Sequence, residues 1–81
     1  INMKVVILGG GESGVGAAYL AKAKGFDVFL SDMGNIRDNY KTELDQLGVD
    51  YEEGQHTEEK ILSADWIIKS PGIPKKAEII Q

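Results

Sequence analysis

Gly9-x-Gly11-x-x-Gly14, set directly after Val5-Val6-Ile7-Leu8, is the part of this chain whose residue types and spacing could do chemistry. The chemistry is that of exposed backbone. Gly9 lets the chain reverse sharply, and Gly11 has no side chain to keep a phosphate from the main chain. Gly14 lets the following helix sit close, and Gly16 with Ala17 and Ala18 keeps that contact thin. The first amides of such a helix, at the positive end of its dipole, favour an anion. Glycines alone would signal only a tight turn; a strand before them and a helix after them make an anion site the better reading.

Two further groups belong with that turn. Asp32 stands 18 residues beyond Gly14, close to the spacing at which a carboxylate takes a nucleotide ribose or base. Asp also favours turns for local reasons. Its place at a strand end beside the glycine turn is what favours ligand contact, and to this point an NAD site reads equally well. The second group is Ser70-Pro71-Gly72-Ile73-Pro74, a hydroxyl, a rigid proline and an approachable glycine amide. It follows the fourth strand, beside the first, where the strand order reverses and ligands bind.

Other polar residues read as ordinary surface. His56, the one histidine, lies among Glu52, Glu53, Glu58 and Glu59, but the spacing builds no metal motif, and a solvated role is expected. The two glutamate pairs read as solvated faces. Trp66 and Tyr51 read as core or sheet-face packing, and Lys69 as exposed.

The elements that must position the site follow from periodicity. A doubly buried strand at Val5–Leu8 leads to a helix over Ser13–Lys24, closed by Gly25. Asp27–Ser31 is the second strand, closing at Asp32. Ile36, Tyr40, Leu44 and Leu47 recur on one face of a second helix that Gly48 ends. Val49–Glu52 alternates as an edge strand. Thr57 is an N-cap, with Glu58 and Glu59 in the first turn of a short helix. Asp65–Lys69 is the fourth strand, and 75–81 reads as the start of one more helix. Such βαβαβαβ alternation predicts an α/β, Rossmann-like parallel sheet with order 3-2-1-4 and helices on both faces. The sheet would then lack a neighbour beyond its fourth strand, so the fold reads as truncated there.

Bulk composition narrows the function. Eighty-one residues make one small domain or part of one. A net charge of −4, with the basic residues scattered, argues against a nucleic-acid groove. Any phosphate must then be held by amides and a helix dipole. The absence of cysteine excludes disulfides and thiolate metal sites. No apolar run is long enough for a membrane span or a secretory signal.

Taken together, Gly9-Gly10-Gly11-Glu12-Ser13-Gly14, Asp32 and Ser70-Pro71-Gly72-Ile73-Pro74 resemble the amino-terminal domain of the Mur ligase family. The last of these is the most specific and resembles the D-glutamate-adding branch. The resemblance covers essentially the whole chain. It implies a UDP-binding domain over 1–81 that holds the UDP end of UDP-N-acetylmuramoyl-L-alanine. It also implies a substrate site of Gly10, Gly11, Glu12, Ser13, Gly14, Asp32, Met33, Ser70, Pro71 and Gly72. Amides around Gly11 to Ser13 would face the diphosphate, with the Ser13 hydroxyl as a donor and the Glu12 carboxylate turned to solvent. Asp32 and Met33 would border the uracil, although Met33-Gly34 departs from the polar pair some relatives carry.

There is no G-x-x-x-x-G-K-[ST] loop. The resemblance therefore implies that ATP, magnesium and the acyl-phosphate chemistry belong to a central domain, and the incoming amino acid to a carboxyl-terminal one. Neither lies in this chain, so these 81 residues are expected to bind and not to catalyse. A cytoplasmic, monomeric parent in peptidoglycan synthesis is expected, with its own downstream domains as partners and no membrane contact. The competing readings are an NAD-dependent oxidoreductase domain and a nucleotide-sensing regulatory module.

Overall fold

The computed structural model describes residues 3–69. Within them, β1 (Lys4–Leu8), α1 (Glu12–Ala23), β2 (Asp27–Asp32), α2 (Asp38–Leu47), β3 (Asp50–Glu53), α3 (Glu58–Leu62) and β4 (Trp66–Lys69) alternate as expected. The sheet has the order β3-β2-β1-β4, and every pairing is parallel. Val6 opposes Phe29 on one side and Ile67 on the other. Central β1 is therefore enclosed, and Val5, Val6 and Ile7 are all buried.

Alternation along the strands divides the core. Val5, Ile7, Val28 and Leu30 point to the face covered by α1 and α2, where they pack with Val15, Ala18, Ala21, Ile36 and Leu44. Val6, Phe29 and Ser31 point to the other face, where Lys60 of α3 lies 4.7 Å from the Phe29 ring centre. Gly14, Ala18 and Ala21, the small buried residues of α1, bring that helix close to the sheet. Gly16 does not share in this: it is exposed, with nothing within 4 Å of the position a Cβ would take. It borders a groove of about 520 Å³ between α1 and α2 that Val15, Tyr19, Tyr40 and Leu47 help to line.

Both long helices stop by the same device. After α1 the Phe26 and Gly25 amides donate to the Ala21 and Lys22 carbonyls, with Gly25 at φ +87°. After α2 the Val49 and Gly48 amides donate to Leu44 and Asp45, with Gly48 at φ +73°. These are Schellman closures, in which a left-handed glycine satisfies the last carbonyls.

Three expectations need correction. Ile36 shares the buried face with Leu44, but α2 begins only at Asp38, so Ile36 reaches the core from a loop. Thr57 occupies the N-cap position of α3 without capping it, because its hydroxyl donates to Glu52. Trp66 packs edge-on against Phe26, with ring centres 6.2 Å apart, yet remains 56% exposed. Tyr51 does pack on the core, partly buried.

Candidate functional site

The carboxyl ends of β1 and β2 carry the glycine turn and Asp32 side by side. Gly9 leaves β1 at φ +116°, a backbone region that L side chains rarely enter, and its amide donates to the Ser31 carbonyl at 2.8 Å. Gly14 closes the turn from the other end. A Cβ there would stand 1.8 Å from the Gly9 carbonyl oxygen, so the close approach is of helix to turn, not only of helix to sheet. Gly10 is enclosed as well. A Cβ on it would meet Ile36 Cγ1 at 2.8 Å and Asp32 Oδ2 at 3.1 Å.

Gly11 differs from its neighbours. Nothing lies within 4 Å of where its Cβ would be, and it forms the N-cap of α1 with no side chain over the helix end. The first intrahelical bond runs from the Val15 amide to the Gly11 carbonyl at 3.0 Å. The amides of Glu12, Ser13 and Gly14 precede that bond and have no acceptor within the helix. Glu12 and Ser13 are exposed. The arrangement is an open cluster of donors, which is what an anion requires.

Asp32 is engaged with the protein itself. Its Oδ2 accepts the Gly10 amide at 2.6 Å, and its Oδ1 accepts the Gly34 amide at 2.8 Å. The carboxylate thereby ties the loop after β1 to the loop after β2. The Gly10 amide is spent on Asp32, so the open amides are those from Glu12 onward. Each carboxylate oxygen keeps one further lone pair for an approaching hydroxyl or ring N–H.

The β2–α2 loop is pinned from β3 also. The Gly54 amide donates to the Gly34 carbonyl at 2.9 Å, and the Ile36 amide donates to Glu53 Oε1 at 2.8 Å. Glu53 forms an ion pair with Lys41 of α2. That lysine and the Ile36 amide hold the Glu53 carboxyl below its usual range, and Glu53 in turn raises Lys41. Met33, at the outer bend of this loop, is 63% exposed at the rim of the site. Ser70, Pro71 and Gly72 lie outside the described residues.

Glu52 and His56, both expected to be solvated, meet the buried Ser31 here, His56 itself remaining exposed as expected. Ser31, fully buried, has its hydroxyl 2.8 Å from Glu52 Oε2 and 2.6 Å from His56 Nδ1. Glu52 also accepts the Thr57 amide at 2.7 Å and the Thr57 hydroxyl. Burial opposes its charge, but the Thr57 and Ser31 donors outweigh burial and hold the carboxyl below its usual range. Glu52 and Glu53 are therefore structural anchors and not solvated faces, whereas Glu58 and Glu59 are exposed as expected. Strand alternation held the clue: Ser31 continues the inward face of Phe29, and a buried hydroxyl needs partners. Among the described residues no group of three or more histidines, cysteines or carboxylates is arranged to hold a metal ion. No described helix is long and apolar enough to cross a membrane.

With that geometry in place, the likeness to known proteins is informative. The family model described as MurD N-terminal domain matches residues 4–79. A UDP-N-acetylmuramoylalanine--D-glutamate ligase of Bacteroides fragilis is 64% identical over 77 residues, which is 95% of this chain and 17% of that protein. Ligases of the same name from Porphyromonas gingivalis strain W83 and Cytophaga hutchinsonii are 61% and 58% identical over 81 residues, 18% of each protein. The chain thus spans less than a fifth of the length of these relatives. A crystal structure of UDP-N-acetylmuramate:L-alanyl-gamma-D-glutamyl-meso-diaminopimelate ligase from Neisseria meningitides superposes with a TM-score of 0.74 at 26% identity, covering 99% of this chain and 25% of that one.

Proposed function

The chain belongs to the MurD N-terminal domain family, and from that premise we propose that it holds the UDP end of UDP-N-acetylmuramoyl-L-alanine for a D-glutamate-adding ligase. One observation carries the reading. Gly11 leaves open space beside the exposed Glu12 and Ser13, whose amides have no acceptor within the helix, at the start of a 12-residue helix and beside the Asp32 loop. A diphosphate placed there meets amide hydrogens, the helix dipole and the exposed Ser13 hydroxyl. The net charge of −4 gives little long-range attraction to an anion, so these short-range donors must supply the affinity.

The remaining contacts follow from what borders the turn. Met33 offers an apolar face to the uracil, and Asp32 offers its unused lone pairs to the ribose or base. The Glu12 side chain, exposed at the helix start, keeps its carboxylate in water. Ser70, Pro71 and Gly72 are assigned the opposite wall on family resemblance.

Within the longer parent the domain's share is positioning, which lowers the entropic cost of bringing reactants together. ATP, bound with magnesium outside this chain, supplies the phosphoryl group that turns the substrate carboxylate into an acyl phosphate. The D-glutamate amine then displaces phosphate from that carbonyl, forming the amide and leaving ADP and phosphate as products. The parent is assigned to peptidoglycan synthesis in the cytoplasm, acting as a monomer.

An amide NMR titration of the chain with UDP-N-acetylmuramoyl-L-alanine, run beside one with NAD, tests this. The expected result is saturable shifts at Gly11 to Gly14 and Asp32 with the UDP-sugar alone. Saturable shifts with NAD and none with the UDP-sugar would overturn the reading in favour of a dinucleotide domain.

A further inference from the structure

The hydroxyl of Ser31 has one proton and three neighbours. These are Glu52 Oε2 at 2.8 Å, the Gln55 carbonyl oxygen at 3.1 Å and His56 Nδ1 at 2.6 Å. Glu52 and Gln55 can only accept. The Glu52 carboxylate is the strongest acceptor of the three, and its hydrogen bonds favour the charged form. With its proton given to Glu52, the hydroxyl turns a lone pair to His56. The ring must then donate from Nδ1, which in the neutral imidazole leaves Nε2 as the acceptor nitrogen.

The same serine shapes the site through its main chain. Its carbonyl accepts the Gly9 amide at 2.8 Å, the first contact of the glycine turn. The next residue, Asp32, receives the Gly10 and Gly34 amides. The side-chain bonds lie on the sheet face away from α1 and α2, and the main-chain bond joins β2 to the turn at the sheet's end. Ser31 links the two sets within a single residue.

We propose that Glu52, Ser31 and His56 form a positioning relay that fixes the Nδ1–H form of His56 and holds the end of β2 where it shapes the glycine turn. The consequence for a nucleotide rests on the UDP-sugar reading above; the relay itself does not. None of the three residues touches the ligand in this account, so they are positioning residues.

The test uses the ¹⁵N-labelled 81-residue chain and two variants, Ser31→Ala and Glu52→Gln. Long-range proton–nitrogen spectra of the neutral His56 ring report which nitrogen carries hydrogen. The relay requires Nδ1–H in the parent chain and a shift of population toward Nε2–H in both variants. An Nε2–H ring in the parent chain overturns it.

Amide hydrogen exchange supplies the second readout. Exchange at Gly9 and Gly10 should quicken about tenfold more than exchange at Val6 and Leu30, which report general loosening. Equal changes at all four amides would mean a plain stability role and overturn the positioning claim. If Ser31→Ala fails to fold, Glu52→Gln, which keeps the side-chain volume, decides both readouts. UDP-N-acetylmuramoyl-L-alanine should bind about tenfold more weakly to each folded variant. Unchanged affinity beside disturbed exchange overturns the ligand consequence, whereas no binding to the parent chain overturns the earlier functional reading and leaves tautomer and exchange to judge the relay.

Discussion

A methyl group added at Gly14 would stand 1.8 Å from the Gly9 carbonyl oxygen, while one added at Gly11 would meet nothing within 4 Å. Two glycines three residues apart thus have opposite reasons for being glycine. Gly14→Ala forces turn and helix apart and should cost about 3 kcal/mol, the upper end of ordinary overpacking, as read by urea denaturation. Gly11→Ala should leave stability within about 0.5 kcal/mol. On the proposed UDP-sugar reading it should nevertheless weaken binding about tenfold in a calorimetric titration, because its methyl would lie in the path proposed for the phosphates. Asp32→Asn tests a third role. An amide nitrogen cannot accept, so either Gly10 or Gly34 loses its partner, and the loss should be about 2 kcal/mol with faster exchange at that amide. The glycine pattern and Asp32 were legible from sequence because their spacing is local. That Gly10 gives its amide to Asp32 was not, since the bond spans 22 positions and depends on how two loops meet.

Among the elements, those that end in local chemistry were the most legible. Gly25 and Gly48 announce the ends of α1 and α2 because a left-handed residue closes each helix. Gly48→Ala should therefore cost about 1 kcal/mol, seen as a lower urea midpoint with an unchanged slope. Ile36 shows where periodicity misleads. Its spacing from Tyr40 and Leu44 fits a helical face, but spacing reports which side chains are buried and not which backbone carries them. The loop bearing Ile36 is held against the core by the Glu53 bond to its amide, and the Ile36 side chain takes the room that a side chain on Gly10 would need. Thr57 misleads in another way. Its residue type suits an N-cap, yet Glu52, brought near by the end of β3, offers its hydroxyl a charged acceptor instead. The Ser31 cluster depended on the register that sets Ser31 opposite Glu52, which composition does not record.

Over the molecule as a whole, two carboxylates that anchor the loops make the fold sensitive to acid. Glu52 and Glu53 both titrate below the ordinary 4.5 in the folded chain. A depressed folded pKa contributes stability above the unfolded value, and that contribution is lost as pH falls through the folded value. Urea midpoints should hold steady from neutral pH to about 5 and then fall as both carboxyls protonate. Glu52→Gln should flatten that fall, because the glutamine does not titrate. Fold class, strand order and the placement of the described helices, the start of α2 apart, were legible at this scale, since alternating strands and helices with right-handed crossovers leave few arrangements. The helix expected over 75–81 lies outside the described residues. The loops at the carboxyl ends of β1, β2 and β3 carry a different lesson. Gly10 is bonded to Asp32, Asp32 to Gly34, and Gly34 to Gly54, so three separate connections are stitched edge to edge. Such loops cannot be swapped one at a time. A segment grafted from a relative into the middle connection inherits a bonding obligation to each of its two neighbours, and one grafted into either outer connection inherits an obligation to the middle one. Protein engineers wishing to alter this rim will therefore have to exchange all three connections as a set.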